Sequence, residues 1–205
     1  MKSVTPFYPV SLNLRGRRCV VIGAADDREA IEKAAALEES GADLLRLTDP
    51  SAVAETDVCD AFFVISTPQD ERLSARLREY ADRHRFLLCC IDQPRYGFVA
   101  MAATAKAGPV RISVSTTGLA PRVGKNLKEA LQRAMDGRFE RFIECLATQK
   151  ERIKRRYRSE EQSGLRRKEM IRVADGFDAD VRFVYPEWFE EELALSFAPQ
   201  VLEDE

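Results

Sequence analysis

The sequence predicts an α/β protein built on a doubly wound parallel sheet and ending in a largely helical C-terminal part. Two observations lead there. Short, continuously apolar runs recur at Cys19–Ile22, Ala61–Ser66 and Phe86–Ile91, the pattern of strands buried on both faces. Between them lie stretches with apolar residues at helical spacing and charges on the other face, which read as crossover helices.

Taken in order, Phe7 to Leu14 is an apolar lead-in and Arg15-Gly16-Arg17-Arg18 a turn into the first strand, Cys19–Ile22. Gly23 breaks that run. Ala30, Ile31, Ala34, Ala35 and Leu37 then mark a helix with Glu32, Lys33, Glu38 and Glu39 outside, ended by Ser40-Gly41. Leu44 to Thr48 is a second strand closing on Asp49. Strand, Gly turn, helix, strand and terminal acid form the layout of a dinucleotide-binding half, so the sheet is expected to be Rossmann-like. Pro50 to Val58 is too polar for a strand and suits a short helix. Ala61–Ser66 follows, then Thr67-Pro68, a helix over Asp70–Arg83, and the strand Phe86–Ile91 ending at Asp92-Gln93-Pro94. Right-handed crossovers bring Gly23, Asp49, Ser66, Thr67 and Asp92 to one sheet edge, where such folds bind ligands.

Beyond Gly97, Phe98-Val99-Ala100 is expected to stay extended. Val110–Ser115 alternates apolar and polar residues, so it reads as a half-exposed strand. Thr116–Pro121 is a turn. Helices follow over Val123–Met135, Phe139–Tyr157 and Leu165–Val173, and the tail is acidic, with the only Trp at Trp188.

Composition bounds the function. The chain has 205 residues, 45% hydrophobic and 32% charged, with a net charge of −2, which describes a globular protein and gives no reason to expect nucleic acid or an anionic membrane as partner. No apolar run approaches the ~20 residues of a bilayer span. Met1–Pro6 lacks the apolar core of a signal peptide, and a cytoplasmic protein is expected. Cys19, Cys59, Cys89, Cys90 and Cys145 show neither disulfide nor zinc spacing and read as small apolar residues. His84, the single histidine, reads as a solvated helix-end residue, so no resident metal is expected. The basic stretch from Lys150 to Arg172 is interleaved with acids and poor in aromatics, as a solvated helix face able to pair with the acidic tail would be.

Three stretches carry a more specific signal: Phe7-Tyr8-Pro9-Val10 with Leu12 and Leu14 before the first strand, Cys90-Ile91-Asp92-Gln93-Pro94 followed by Phe98, and Pro109 to Pro121, which runs Pro-Val-Arg-Ile-Ser-Val-Ser-Thr-Thr-Gly-Leu-Ala-Pro. In this order and spacing the chain resembles the precorrin-2 dehydrogenases, the dehydrogenase/ferrochelatase module of siroheme synthase, over roughly residues 6–150. The resemblance implies oxidation of precorrin-2 to sirohydrochlorin with NAD⁺, with Fe²⁺ insertion in some members. It implies a Rossmann-like dinucleotide-binding domain over 1–113, a dimerisation region over 114–150 that makes a homodimer, and a helical extension over 151–205. Asp92 corresponds to the family's essential carboxylate. NAD would lie against Gly23, Ala24, Ala25, Arg28, Asp49, Ser66 and Thr67, and the tetrapyrrole against Ser115, Thr116, Thr117 and Gly118. Position alone lets Asp92 serve equally as an Asx turn with Pro94.

The match departs from the family in one turn. Family members carry three consecutive glycines after the first strand, and their turn is about two residues shorter; here the chain reads Gly23-Ala24-Ala25-Asp26-Asp27-Arg28. A missing second glycine keeps the backbone away from a pyrophosphate, and two acids stand where phosphates belong. The spacing predicts a helix capped by Asp26 with Glu29 reaching back. A non-catalytic tetrapyrrole-binding or scaffold relative that has lost the NAD site is the alternative this turn raises.

Overall fold

The protein is described here from a computed structural model, over residues 7–197, with side chains up to Glu192. Met1–Pro6, read above for a signal peptide, and the end of the acidic tail lie outside the described residues.

The apolar runs form a four-stranded parallel sheet: β1 (Arg18–Ile22), β2 (Asp43–Leu47), β3 (Phe63–Ser66) and β4 (Leu87–Cys90), in the order β2-β1-β3-β4. Ile22 stands level with Leu47 and Ser66, and Ser66 level with Cys90, so all four carboxyl ends share one edge. Helix α1 (Arg28–Glu39) covers one face with Ala30, Ala34 and Leu37 against Cys19, Val21, Phe63 and Ile65. Helix α2 (Glu71–His84) covers the other with Leu73, Leu77 and Ala81 against Val20, Val64 and Leu88. The strands are continuous apolar runs because both faces are buried this way. The segment between β2 and β3 makes two short 3-10 turns, Pro50–Ala52 and Glu55–Asp57, in place of one helix, and its Val53 and Val58 complete the second core layer.

After β4, the amides of Phe98 and Val99 both donate to the Leu88 carbonyl, at 2.8 and 3.0 Å, so this segment folds back on β4 without becoming a strand. A strand that the sequence did not suggest follows: β5 (Ala103–Ala107) pairs antiparallel with β6 (Val110–Val114) in a separate two-stranded sheet. Helix α3 (Pro121–Ala134) packs on it, with Leu131 beside Ala105, Ala107 and Ile112. Gln132 of α3 also closes the edge of β5. Its Oε1 accepts from the Lys106 amide at 2.9 Å and its Nε2 donates to the Lys106 carbonyl at 2.7 Å, the two bonds a neighbouring strand would make. On the opposite face of the hairpin, Lys106 Nζ and Arg111 Nη2 each meet Glu39, at 2.5 Å, tying the hairpin to the end of α1.

The chain divides into two compact units, one ending at Glu140 and one beginning at Arg141. The second holds most of α4 (Gly137–Arg156), α5 (Ser163–Arg172) and α6 (Glu187–Phe197). Within it Phe142 stacks on Phe177 at 5.1 Å. Within the basic stretch Glu151 pairs with Lys154 and Glu169 with Arg172. Among the described residues no helix is long and apolar enough to cross a membrane. Cys19, Cys89 and Cys90 are core residues, burial pushing the Cys89 thiol up to about 11, whereas Cys59 and Cys145 are exposed. His84 is not a free helix-end residue: its Nε2 lies 2.6 Å from Glu55 Oε1, which Arg83 also meets.

Replacing Gln132 with alanine removes both edge bonds of β5. We expect a loss of about 1 kcal/mol in denaturant unfolding and faster hydrogen exchange at the Lys106 amide; an unchanged Lys106 exchange rate would show that the edge is held by other contacts.

Candidate functional site

The chain passes to opposite sides of β1 to make β2 and β3, so the switch point of the sheet lies between the ends of β1 and β3, where open α/β sheets bind ligands. Gly23 and Thr67 face each other there. A Cβ on Gly23 would strike the Thr67 hydroxyl and come within 2.7 Å of the Ala30 methyl and 3.0 Å of Asp27 Oδ2. The glycine is required by close packing of strand, helix and neighbouring strand.

The cap of α1 is Asp27, one residue later than the spacing predicted. Its Oδ1 accepts from the Glu29 amide at 2.9 Å and the Ala30 amide at 3.3 Å. Its Oδ2 accepts from the Thr67 hydroxyl, which also lies 3.2 Å from the Ile22 carbonyl. Glu29 does not reach back; it pairs forward with Lys33 at 3.5 Å. Asp26 is left at the exposed tip of the turn with Ala24 and Ala25. The Thr67 bond, then the Ala30 and Glu29 amides, hold the Asp27 carboxyl below the usual carboxylate range, with the Arg46 charge adding to the effect.

The remaining expected cofactor residues are placed less favourably. Arg28 has a side chain 91% exposed and donates to Glu32 at 2.9 Å, so it is not aimed at the switch point. Ser66 points into the core at 0% exposure and does not reach the edge. Asp49 accepts from the Ser51 hydroxyl at 2.6 Å and the Ser51 amide at 3.0 Å, capping the first 3-10 turn, and these bonds hold its carboxyl low. Sequence reasoning missed Arg46 on β2, whose buried Nη2 has no hydrogen-bond partner; a lone charge inside a strand was the available signal.

Asp92 lies directly after β4 in a left-handed conformation, φ 59°. It accepts from Gln69 Nε2 at 3.1 Å, so the Asx turn with Pro94 is not what holds it. Beside it Gln93 Oε1 accepts from the buried Ser74 hydroxyl at 2.6 Å, fixing the strand exit onto α2. Asp92 lines a cleft of ≈ 380 Å³ with Gln69, Glu71, Gln93, Pro94 and Arg95. Arg95 pairs with Glu71 and lies 4.9 Å over the Tyr96 ring. Ser115–Gly118 forms its own turn, with the Thr117 amide donating to Ser115 Oγ at 3.3 Å and both Thr117 and Gly118 left-handed. The Thr116 methyl packs against α3 at Gly124, 3.5 Å from where a Cβ would stand. This turn is not hydrogen-bonded to the Asp92 cleft. Among the described residues no group of His, Cys, Asp and Glu is arranged to hold a metal ion.

A parallel sheet in this order, with a glycine turn between β1 and α1, defines a Rossmann-like fold. Residues 10–103 match a family model described as putative NAD(P)-binding. The chain is 23% identical over 168 residues to the siroheme synthase of Nitrosococcus oceani, covering 73% of this chain and 36% of that protein. It is 30% identical over 87 residues to the precorrin-2 dehydrogenase of Bacillus subtilis, covering 42% and 53%. The solved structure of SirC, a precorrin-2 dehydrogenase, superposes with a TM-score of 0.65 at 18% identity, covering 83% of this chain and 90% of that one, and shares the fold. The resemblance read from the sequence holds: the chain is similar to siroheme synthases and precorrin-2 dehydrogenases. It spans about a third of the length of the siroheme synthase it matches.

The residues present do not fit a dinucleotide held as a first βα turn holds it. That mode needs free amides at the helix start and empty space over the glycine. Here one carboxylate takes both amides and lies over Gly23.

Replacing Gly23 with alanine forces Thr67, Asp27 and Ala30 apart, and we expect about 1–3 kcal/mol of destabilisation by thermal or urea melting. Asp27 is ionised more readily in the folded chain than in the unfolded one. Its contribution to stability is therefore complete above the unfolded carboxylate value of ~3.9 and is lost as pH falls through the lower folded value. The stability gap between the wild type and Asp27→Asn should accordingly narrow below about pH 4 in acid titrations of unfolding; a gap that stays constant to pH 2 would contradict the assignment.

Proposed function

We propose that this chain acts on precorrin-2 in siroheme synthesis, oxidising it to sirohydrochlorin. The observation that carries the proposal is Asp92. It is the acid of the Asp92-Gln93-Pro94 passage on which the resemblance rests, and it lies at the strand-end edge in an open cleft, bonded to Gln69. Oxidation of the macrocycle removes a hydride and a proton, and Asp92 is the group placed to accept the proton. The same carboxylate could take pyrrole protons if Fe²⁺ insertion is added to the activity, as in some relatives of this family. Arg95 at the cleft rim is paired with Glu71 and would exchange that partner to meet a carboxylate side chain of a tetrapyrrole. The likeness to precorrin-2 dehydrogenases and to a putative NAD(P)-binding family supports a nicotinamide dinucleotide as cofactor, NAD⁺ in our reading. A homodimer assembled through α3 and the β5–β6 hairpin is the association we favour, with Leu119 and Val123 exposed at the start of α3. The cytoplasm is the compartment we assign.

A second reading is favoured by one observation, the Asp27 carboxylate in the dinucleotide cradle. On this reading the chain is a non-catalytic tetrapyrrole-binding or scaffold relative without an NAD site.

Purified protein given precorrin-2 and NAD⁺ should produce sirohydrochlorin, followed by its absorbance. Asp92→Asn should slow that conversion by about 10²-fold or more while leaving sirohydrochlorin binding in place. Binding without conversion by the wild type would select the second reading, and neither binding nor conversion would sink both.

A further inference from the structure

We propose that Asp27 is an internal occupant of the dinucleotide cradle, an intramolecular competitor that holds the affinity of this chain for nicotinamide dinucleotides low. The inference rests on the nucleotide-binding reading of the fold and goes beyond it by naming the residue that sets cofactor affinity.

A diphosphate at the first βα turn is held by amides at the helix start, by a neighbouring hydroxyl or backbone donor, and by space that a glycine leaves open. The Asp27 carboxylate uses each of these. Oδ1 takes the Glu29 and Ala30 amides, Oδ2 takes the Thr67 hydroxyl, and Oδ2 lies 3.0 Å from where a Gly23 Cβ would stand. It is an oxyanion in the place of an oxyanion. An incoming phosphate must break three hydrogen bonds and then sit beside the displaced negative charge. Of the nearby cations, Arg28 is engaged with Glu32, and the Arg46 charge already acts on the Asp27 carboxylate.

Helix α2 supplies the internal comparison. Asp70 caps it through Oδ1 alone, to the Arg72 amide at 2.8 Å and the Leu73 amide at 3.2 Å, with no bond to a neighbouring strand. Capping by itself therefore does not require the second tether. At Asp27 the second oxygen is bonded to the residue that follows β3, across the switch point, and that bond closes the crevice a dinucleotide would enter.

The test is calorimetric titration of the full chain with NAD⁺ and, separately, NADP⁺ at neutral pH. Serine at position 27 keeps an acceptor for the helix amides but carries no charge and is too short to span to Thr67. The wild type should bind weakly, with Kd in the millimolar range, and Asp27→Ser at least tenfold more tightly, with circular dichroism confirming the fold. Thr67→Val cuts the tether and keeps the cap, and should give a smaller gain, so the proposal remains testable if the serine variant does not fold. Micromolar binding by the wild type with no gain in either variant overturns the proposal. So does an absence of binding in all three proteins, since release of Asp27 would then open no site. Sirohydrochlorin titration of the same samples reports separately on the tetrapyrrole reading, which stands or falls without reference to the nucleotide result.

Discussion

The hydrogen bond from Thr67 to Asp27 joins three elements at one point: the end of β3, the start of α1 and, beneath them, the end of β1. It exists because Gly23 has no Cβ, which lets the Thr67 hydroxyl, the Ala30 methyl and the Asp27 carboxylate converge over a single residue. Ala30 is also the first buried residue of α1. The approach that makes the hydrogen bond therefore sets how α1 descends onto Val21 and Ile65. The packing of one sheet face and the chemistry of the sheet edge follow from the same contact.

The edge then carries acids in different states. Asp27 spends both oxygens on the fold, to two amides and a hydroxyl, and its ionised form is stabilised by them. Asp92, at the end of β4, meets one side-chain donor, Gln69, and lines an open cleft. Asp49 is used locally, by Ser51. Three carboxylates on one sheet edge thus divide by environment: two are consumed in capping, and one keeps an oxygen available for exchange with a ligand. That division is what supports the proposal of Asp92, among the three, as the proton acceptor.

Much of this was legible in the sequence because the parallel strands are buried on both faces and so appear as unbroken apolar runs. What was not legible was contact-dependent. Ser66 and Thr67 are adjacent in the chain, but one enters the core and the other reaches the edge, which depends on where the strand ends. Asp26 and Asp27 are equally good caps by composition; only the path of the longer turn puts the second at the helix start. Strand β5 escaped notice because Ala103-Thr104-Ala105-Lys106-Ala107 has little β preference of its own. It is held by pairing with β6 and by Gln132, which lies 26 residues away from Lys106. The partner of His84 is Glu55, 29 residues earlier, with no local signal.

The turn from Gly23 to Arg28 satisfies its own polar groups. Here the longer turn, the second acid and a threonine after β3 act together: the turn positions Asp27, Asp27 satisfies two amides, and Thr67 satisfies the remaining oxygen. The cap could stand without the tether, as it does at Asp70, and the tether adds a bond across the switch point. Together these bonds fill the turn while holding α1 and β3 in the arrangement of a Rossmann-like fold.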